Sequence, residues 1–314
     1  MKEKTFNRYM LSEEAVDEFA YNILEIDDDI ERREAVNKIL LVEKQMIEFN
    51  AHKTIADNKY RNKSFLSCEK RKELRKVIHN ELINKIRLDD EKEIKLGCGG
   101  ALPQSGNLKK EKTMYFIMGL PASGKSGLAN VLSDNTGAVI IDSDMAKRKF
   151  PEYDSVDGGA SLVHEESVLI VLSGKEENLL KTCVEDGINI IIPRIGNKID
   201  TIIDLTKKLK NTGYTAYLIL VELDRLKATQ RAYYRFITDH RYVQLSMIFD
   251  SFANDPILNY YKIRKHHSNV FNGYAHINTD VEKENPNKII EDKNINLLKN
   301  GLLNEYKTGR VNYE

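Results

Sequence analysis

Eight consecutive residues carry the most specific chemistry in the chain. Gly119-Leu120-Pro121-Ala122-Ser123-Gly124-Lys125-Ser126 fits the spacing G-x-x-x-x-G-K-[ST], which binds the phosphates of a nucleoside triphosphate. A triphosphate needs many donors in a small concave space. Glycines at both ends let the backbone curl so that successive amides point inward. The start of the following helix adds unpaired amides and partial positive charge. In this reading Gly119 to Gly127 cradle ATP or GTP, Lys125 reaches the β- and γ-phosphates, and Ser126 offers its hydroxyl to Mg²⁺.

A second cluster, Asp142-Ser143-Asp144, follows an apolar run. A carboxylate beside a phosphate loop can hold Mg²⁺, or it can take the proton of an attacking hydroxyl. Asp142, at the end of the run, suits the metal, and Asp144, further out, suits an acceptor. Either could instead cap the helix that begins near Met145.

These residues need elements to hold them. Met114 to Met118 reads as a buried strand, and Leu128, Val131 and Leu132 mark one face of a following helix. Further apolar runs at 138–141, 188–192 and 217–221 read as parallel strands covered on both faces. Helical segments are expected at 125–134, 158–173, 174–186, 198–211 and 225–237. This alternation predicts an α/β fold, a doubly wound parallel sheet whose ligands sit beyond the carboxyl ends of its strands.

Ahead of it, residues 1–96 read as all-helical. Ser12 and Ser67 stand where helix caps belong, and Asp27-Asp28-Asp29 suits the start of the helix between them, each before an apolar stripe. The basic run Lys70 to Lys76 reads as a solvated face. Residues 97–112, rich in Gly, Pro and Ser, read as a linker or a draped loop. Residues 113–280 form the α/β domain. Residues 281–314 read as a polar tail with a short helix near Ile295 to Leu303.

The ordered set of loop, Ile141-Asp142-Ser143-Asp144 and Val163-His164-Glu165-Glu166-Ser167 resembles the zeta toxin family of bacterial small-molecule kinases. The resemblance runs from about Met114 to Val243. It implies a P-loop kinase that transfers a phosphoryl group from ATP or GTP to a hydroxyl of a nucleotide-type small molecule, such as UDP-N-acetylglucosamine or NAD. It makes Asp144 the general base, assigns His164, Glu165 and Ser167 to the acceptor, and matches Arg235 and Arg241 to a basic lid, with Arg231 in reserve. It also implies a toxin–antitoxin setting. There the helical front end is expected to act as a built-in brake, to dock another protein such as an antitoxin, or to give simple structural support. One departure stands out. Where the family carries an acidic residue after the third strand, this chain has Arg194, which suits an acceptor richer in negative charge.

Two readings compete with the kinase. Asn197-Lys198-Ile199-Asp200 fits the guanine-reading N-K-x-D of a regulatory P-loop NTPase, but no D-x-x-G follows a strand between it and the loop. A nucleotide-binding scaffold with a partner-binding helical region is the other.

The totals set bounds. The chain has 48 basic and 48 acidic side chains, so no global field recruits nucleic acid or a membrane surface. No apolar run approaches a membrane span. The three cysteines, Cys68, Cys98 and Cys183, form no pairable pattern. A cytoplasmic location is the simple expectation.

Overall fold

The computed structural model describes residues 9–173, 177–281, 285–297, 301 and 303. Three helices come first: α1 (Glu13–Asn22), α2 (Asp29–Ala51) and α3 (Cys68–Asn84). Their starts follow from side-chain caps. Ser12, Asp28 and Ser67 each accept a backbone N–H of the first turn, as their positions in the sequence predict.

The sheet and its helices follow. They are β1 (Thr113–Met118), α4 (Lys125–Thr136), β2 (Val139–Ile140), α5 (Ser143–Lys147), α6 (Gly159–Leu162), α7 (His164–Val171) and α8 (Leu179–Glu185). After these come β3 (Ile190–Arg194), α9 (Ile199–Asn211), β4 (Thr215–Glu222), α10 (Arg225–Asp239), α11 (Asp255–His266), β5 (Gly273–Asn278) and β6 (Lys288–Lys293). Strand order is β2-β3-β1-β4-β5-β6. The first five strands run parallel, and β6 pairs antiparallel with β5 at the edge. The fold is the expected α/β class with a mostly parallel sheet. Central β1, flanked by β3 and β4, is buried at every residue from Met114 to Met118.

Several expectations need correction. The helix expected over 158–173 is two helices that meet at Val163, where the backbone leaves helical geometry. The segment expected from 174 starts its helix at Leu179, where the Asn178 side chain caps it, and residues 174–176 lie outside the described ones. Strands β5 and β6 carry no long apolar run. β6 is a charged edge strand within the stretch read as tail, and it survives there because one face needs no cover. The closing helix expected near Ile295 to Leu303 falls largely on residues outside the described ones, and Ile295 to Leu297 are not helical.

The front helices share their cores with the sheet domain. Leu74, Ile78 and Leu82 of α3 join the cluster that contains the strands. Val16, Ile39 and Val42 of α1 and α2 pack with Ala232, Tyr233 and Phe236 of α10. The glycine-rich stretch after α3 is tied down as well. Ala101 donates to Leu82 O at 2.9 Å and accepts from Ile140 N at 3.2 Å, which joins α3 to the second strand. A side chain at Gly100 would meet the Lys85 carbonyl oxygen at 2.1 Å, so only glycine fits.

A buried ion cluster adds to this union. Arg71, expected on a solvated face, is 0% exposed. It pairs with Glu152 at 2.8 Å and with Glu166 at 2.8 Å. Glu166 also accepts from Arg75 at 2.8 Å and from the Thr54 hydroxyl at 2.7 Å. Removing one member of such a cluster strands buried charge. Glu166→Ala should therefore cost about 3–5 kcal/mol in urea unfolding. A loss under about 1 kcal/mol would contradict a buried network here.

Candidate active site

The phosphate loop is built where β1 ends. Gly119 N donates to Arg194 O at 3.2 Å and Ile195 O at 3.1 Å, which pins the loop to the end of β3. A Cβ on Gly119 would lie 2.4 Å from Val221 O, so the loop approaches β4 too closely for any side chain. Gly124 sits at φ +91° and starts α4. Ala122 holds φ +60°, a rare conformation for a residue with a Cβ. On the far side, the Thr279 hydroxyl donates to Ser123 O at 2.9 Å.

Leu120 turns into the core, whereas Pro121, Ala122, Gly124, Lys125, Ser126 and Gly127 line a cavity of about 1250 Å³. Lys125 Nζ donates to Gly119 O at 2.7 Å and Leu120 O at 2.5 Å. Burial, joined by the charge of Arg235, pushes this ammonium down to about 7 against the pull of Asp142.

The two aspartates line the same cavity and divide their work. Asp142 Oδ1 accepts from Asp144 N at 2.9 Å and so caps α5. Burial and the neighbouring Asp144 charge push its carboxyl up to about 6. Asp144 is an ion-pair partner, not a cap. It accepts from Lys147 Nζ at 2.8 Å and from Arg241. Burial alone would raise its pKa, but Arg241 and Lys147 outweigh that and hold it well below the ordinary carboxylate range.

The arginines converge from three elements. Arg194 ends β3, Arg231 and Arg235 come from α10, and Arg241 follows it, and all four line the cavity. Arg231 donates to Thr279 O at 3.4 Å. Arg235 makes no hydrogen bond to a described residue. The Arg241 charge and burial lower its pKa to about 10. Burial also lowers Arg194. Crowded cations of this kind are relieved by an anion placed among them.

The segment read as acceptor-binding is placed differently. His164, Glu165 and Ser167 do not line this cavity. Ser167 is buried and its hydroxyl donates to Val163 O at 2.8 Å within its own helix. His164 begins α7, where partial burial and the charges of Lys147 and Lys53 push its imidazole down to about 4. Of N-K-x-D, Asn197 and Lys198 line the cavity and Asp200 does not.

Sequence reading missed the contribution of the front region. Asp90, Glu91 and Lys92, on a short 3₁₀ turn before the sheet, form part of the cavity wall. Glu91 lies 3.4 Å from Arg148 and 4.0 Å from Arg241, and Lys92 pairs with Asp239 at 2.7 Å. Buried Glu43 of α2 accepts from the Tyr242 hydroxyl and from Gln244 at 3.3 Å, which fixes the segment that carries Arg241. No local motif announces these residues.

The donors present suit a hard cation. Ser126, Asn130 and Asp142 share a small pocket, and Asn130 Oδ1 is buried there with no hydrogen-bond partner. Among the described residues no group of three or more His, Cys, Asp or Glu gathers as a metal cage. That set fits Mg²⁺, which uses one or two protein oxygens together with phosphates and water.

Residues 104–257, just under half of the chain, match the zeta toxin family. No curated protein matches the chain. Among solved structures, it is similar to a chain from the PezAT chromosomal toxin–antitoxin system of Streptococcus pneumoniae. The two are 18% identical over 59% of this chain and 72% of that one, with a TM-score of 0.43. It is also similar to a chain of the AvrRxo1-ORF1:-ORF2 complex, at 14% identity over 72% of this chain and 68% of that one, with a TM-score of 0.42. Among the described residues no helix is long and apolar enough to cross a membrane.

The lowered Lys125 ammonium has a consequence for stability. Its folded pKa is about 7 against 10.5 when unfolded. Between those values the unfolded chain binds more protons, so stability rises with pH. In the ligand-free protein the parent should gain about 1–3 kcal/mol relative to Lys125→Met between about pH 7 and pH 10. Parallel pH profiles in urea unfolding would contradict the burial of this amine.

Proposed function

We propose, from the premise that residues 104–257 are a zeta toxin family domain, that this chain is a kinase of a small nucleotide-type molecule. It takes the γ-phosphoryl group of ATP or GTP and passes it to a hydroxyl of an acceptor such as a nucleotide sugar or dinucleotide. The observation that carries this reading is the shared cavity. It joins Lys125 and the phosphate loop to Asp144 and to five arginines.

In the proposed reaction, loop amides and Lys125 grip the triphosphate. Bound Mg²⁺, which Ser126 and Asp142 would help to hold, neutralises phosphate charge during transfer. The acceptor oxygen bonds to the γ-phosphorus as the bridge to the β-phosphate breaks. The nucleoside diphosphate leaves with that bridging oxygen, and Asp144 receives the hydroxyl proton. Arg235 and Arg241 meet the negative charge that spreads over the moving group. Asp144 must first exchange its bond to Arg241 for one to the acceptor. The same step frees the guanidinium for the phosphoryl group, so one motion serves both roles.

Arg194 points the acceptor class toward anions. Among the lining side chains, nine are Lys or Arg and five are Asp or Glu, in a chain whose totals balance. A phosphate-bearing acceptor offsets that excess. The front helices read as support for the lid in preference to a brake. Helices α1 and α2 pack against α10, and the turn after α3 adds Asp90, Glu91 and Lys92 to the wall of a cavity of about 1250 Å³.

The test is incubation with labelled ATP or GTP, Mg²⁺ and a panel of nucleotide sugars and dinucleotides, with products identified by mass. One acceptor should gain a phosphoryl group. Lys125→Ala and Asp144→Ala should each cut turnover by about 100-fold or more while circular dichroism stays unchanged. Near-normal turnover in Asp144→Asn would remove the base assignment.

A further inference from the structure

One side chain on the cavity wall is polar, shielded and unpartnered. Asn287 has both its amide nitrogen and its amide oxygen buried, and neither finds a hydrogen bond among the described residues. It lines the same cavity as the phosphate loop. Burying an amide without partners costs free energy, so a site that keeps one has a use for it.

Its position limits that use. Asn287 immediately precedes β6, where Lys288 pairs with Asn278 of β5. The antiparallel register sets Asn287 opposite Thr279, whose hydroxyl bonds to Ser123 O of the phosphate loop. The amide therefore stands beside the loop, on the side away from Asp142 and Asp144, which follow β2 at the other edge of the sheet. Its neighbours on the wall there are Thr279, Val281 and Arg231. The acceptor end is crowded with charge, whereas this end offers an amide, a small apolar surface and one guanidinium.

An amide presents a donor and an acceptor side by side in one plane. Adenine offers the matching pair, the N6 amino donor and the N7 acceptor. On that edge guanine shows two acceptors and would leave Asn287 Oδ1 without a partner. We infer that Asn287 reads the adenine of the phosphoryl donor, with Oδ1 accepting from N6 and Nδ2 donating to N7. This rests on the kinase reading of the cavity and deepens it by selecting ATP.

Calorimetry on the full chain tests it without knowledge of the acceptor. The ligands are ATP, GTP and inorganic tripolyphosphate, each with Mg²⁺, and the proteins are the parent and Asn287→Ala. The parent should prefer ATP to GTP. Asn287→Ala should weaken ATP by about 10- to 100-fold and leave tripolyphosphate affinity unchanged, which also certifies its fold. Equal ATP affinity in both proteins, or a parent that prefers GTP, overturns the base assignment and leaves the phosphate loop standing. A parent that binds none of the three overturns both.

Discussion

The ion pairs on Asp144 are the constraint that the surrounding structure serves. In the proposed reaction Asp144 accepts a proton, yet Arg241 and Lys147 hold it so firmly that its basicity falls. The arrangement makes chemical sense only if Arg241 changes partner during the reaction. That demand explains the care with which Arg241 is placed. Tyr242, its neighbour, is bonded to buried Glu43 of α2, and Glu91 waits at 4.0 Å as a second carboxylate for the same guanidinium. Helix α2 thus reaches the neighbourhood of Asp144 through Tyr242 and Arg241.

The sheet supplies the other half of the geometry. Parallel β1, β3 and β4 end together, so Gly119, Arg194 and Val221 meet at one edge. The phosphate loop hangs from that edge, with Gly119 N donating to Arg194 O and Ile195 O. The charges that tune Asp144 come from Arg241 after α10, from Lys147 of α5 and from Arg235 of α10. The buried cluster of Arg71, Glu152, Glu166 and Arg75 then joins α3 to the loops of the sheet domain. It ties the helical region to the sheet domain where a separate lobe would hinge.

How much of this was legible in the sequence varied with the kind of information each part carries. The phosphate loop was readable because its constraints are local: glycines where the backbone curls, and a Lys-Ser pair where a helix begins. The helix caps Ser12 and Ser67, and the acidic helix start at Asp27 to Asp29, were readable for the same reason. The apolar runs of β1 to β4 announced a parallel sheet buried on both faces. Strand β6 was hidden because an exposed edge lets Lys288, Glu291, Asp292 and Lys293 stand where a central strand needs apolar residues. Arg71 was read as solvated because its partners, Glu152 and Glu166, lie about eighty and ninety-five residues away. Asp90, Glu91, Lys92 and Glu43 reach the site and its lid only through the fold, and no spacing along the chain records that. The contact of Asp144 with Arg241 belongs to the same class, being a pairing across 97 residues.

A structure with a non-hydrolysable triphosphate analogue and Mg²⁺ tests the central claim most directly. The account predicts that Lys125 Nζ leaves the carbonyls of Gly119 and Leu120 for the phosphates, and that Arg241 turns from Asp144 toward the terminal phosphate. An analogue seated in the loop with Lys125 still on those carbonyls and Arg241 still on Asp144 would contradict it.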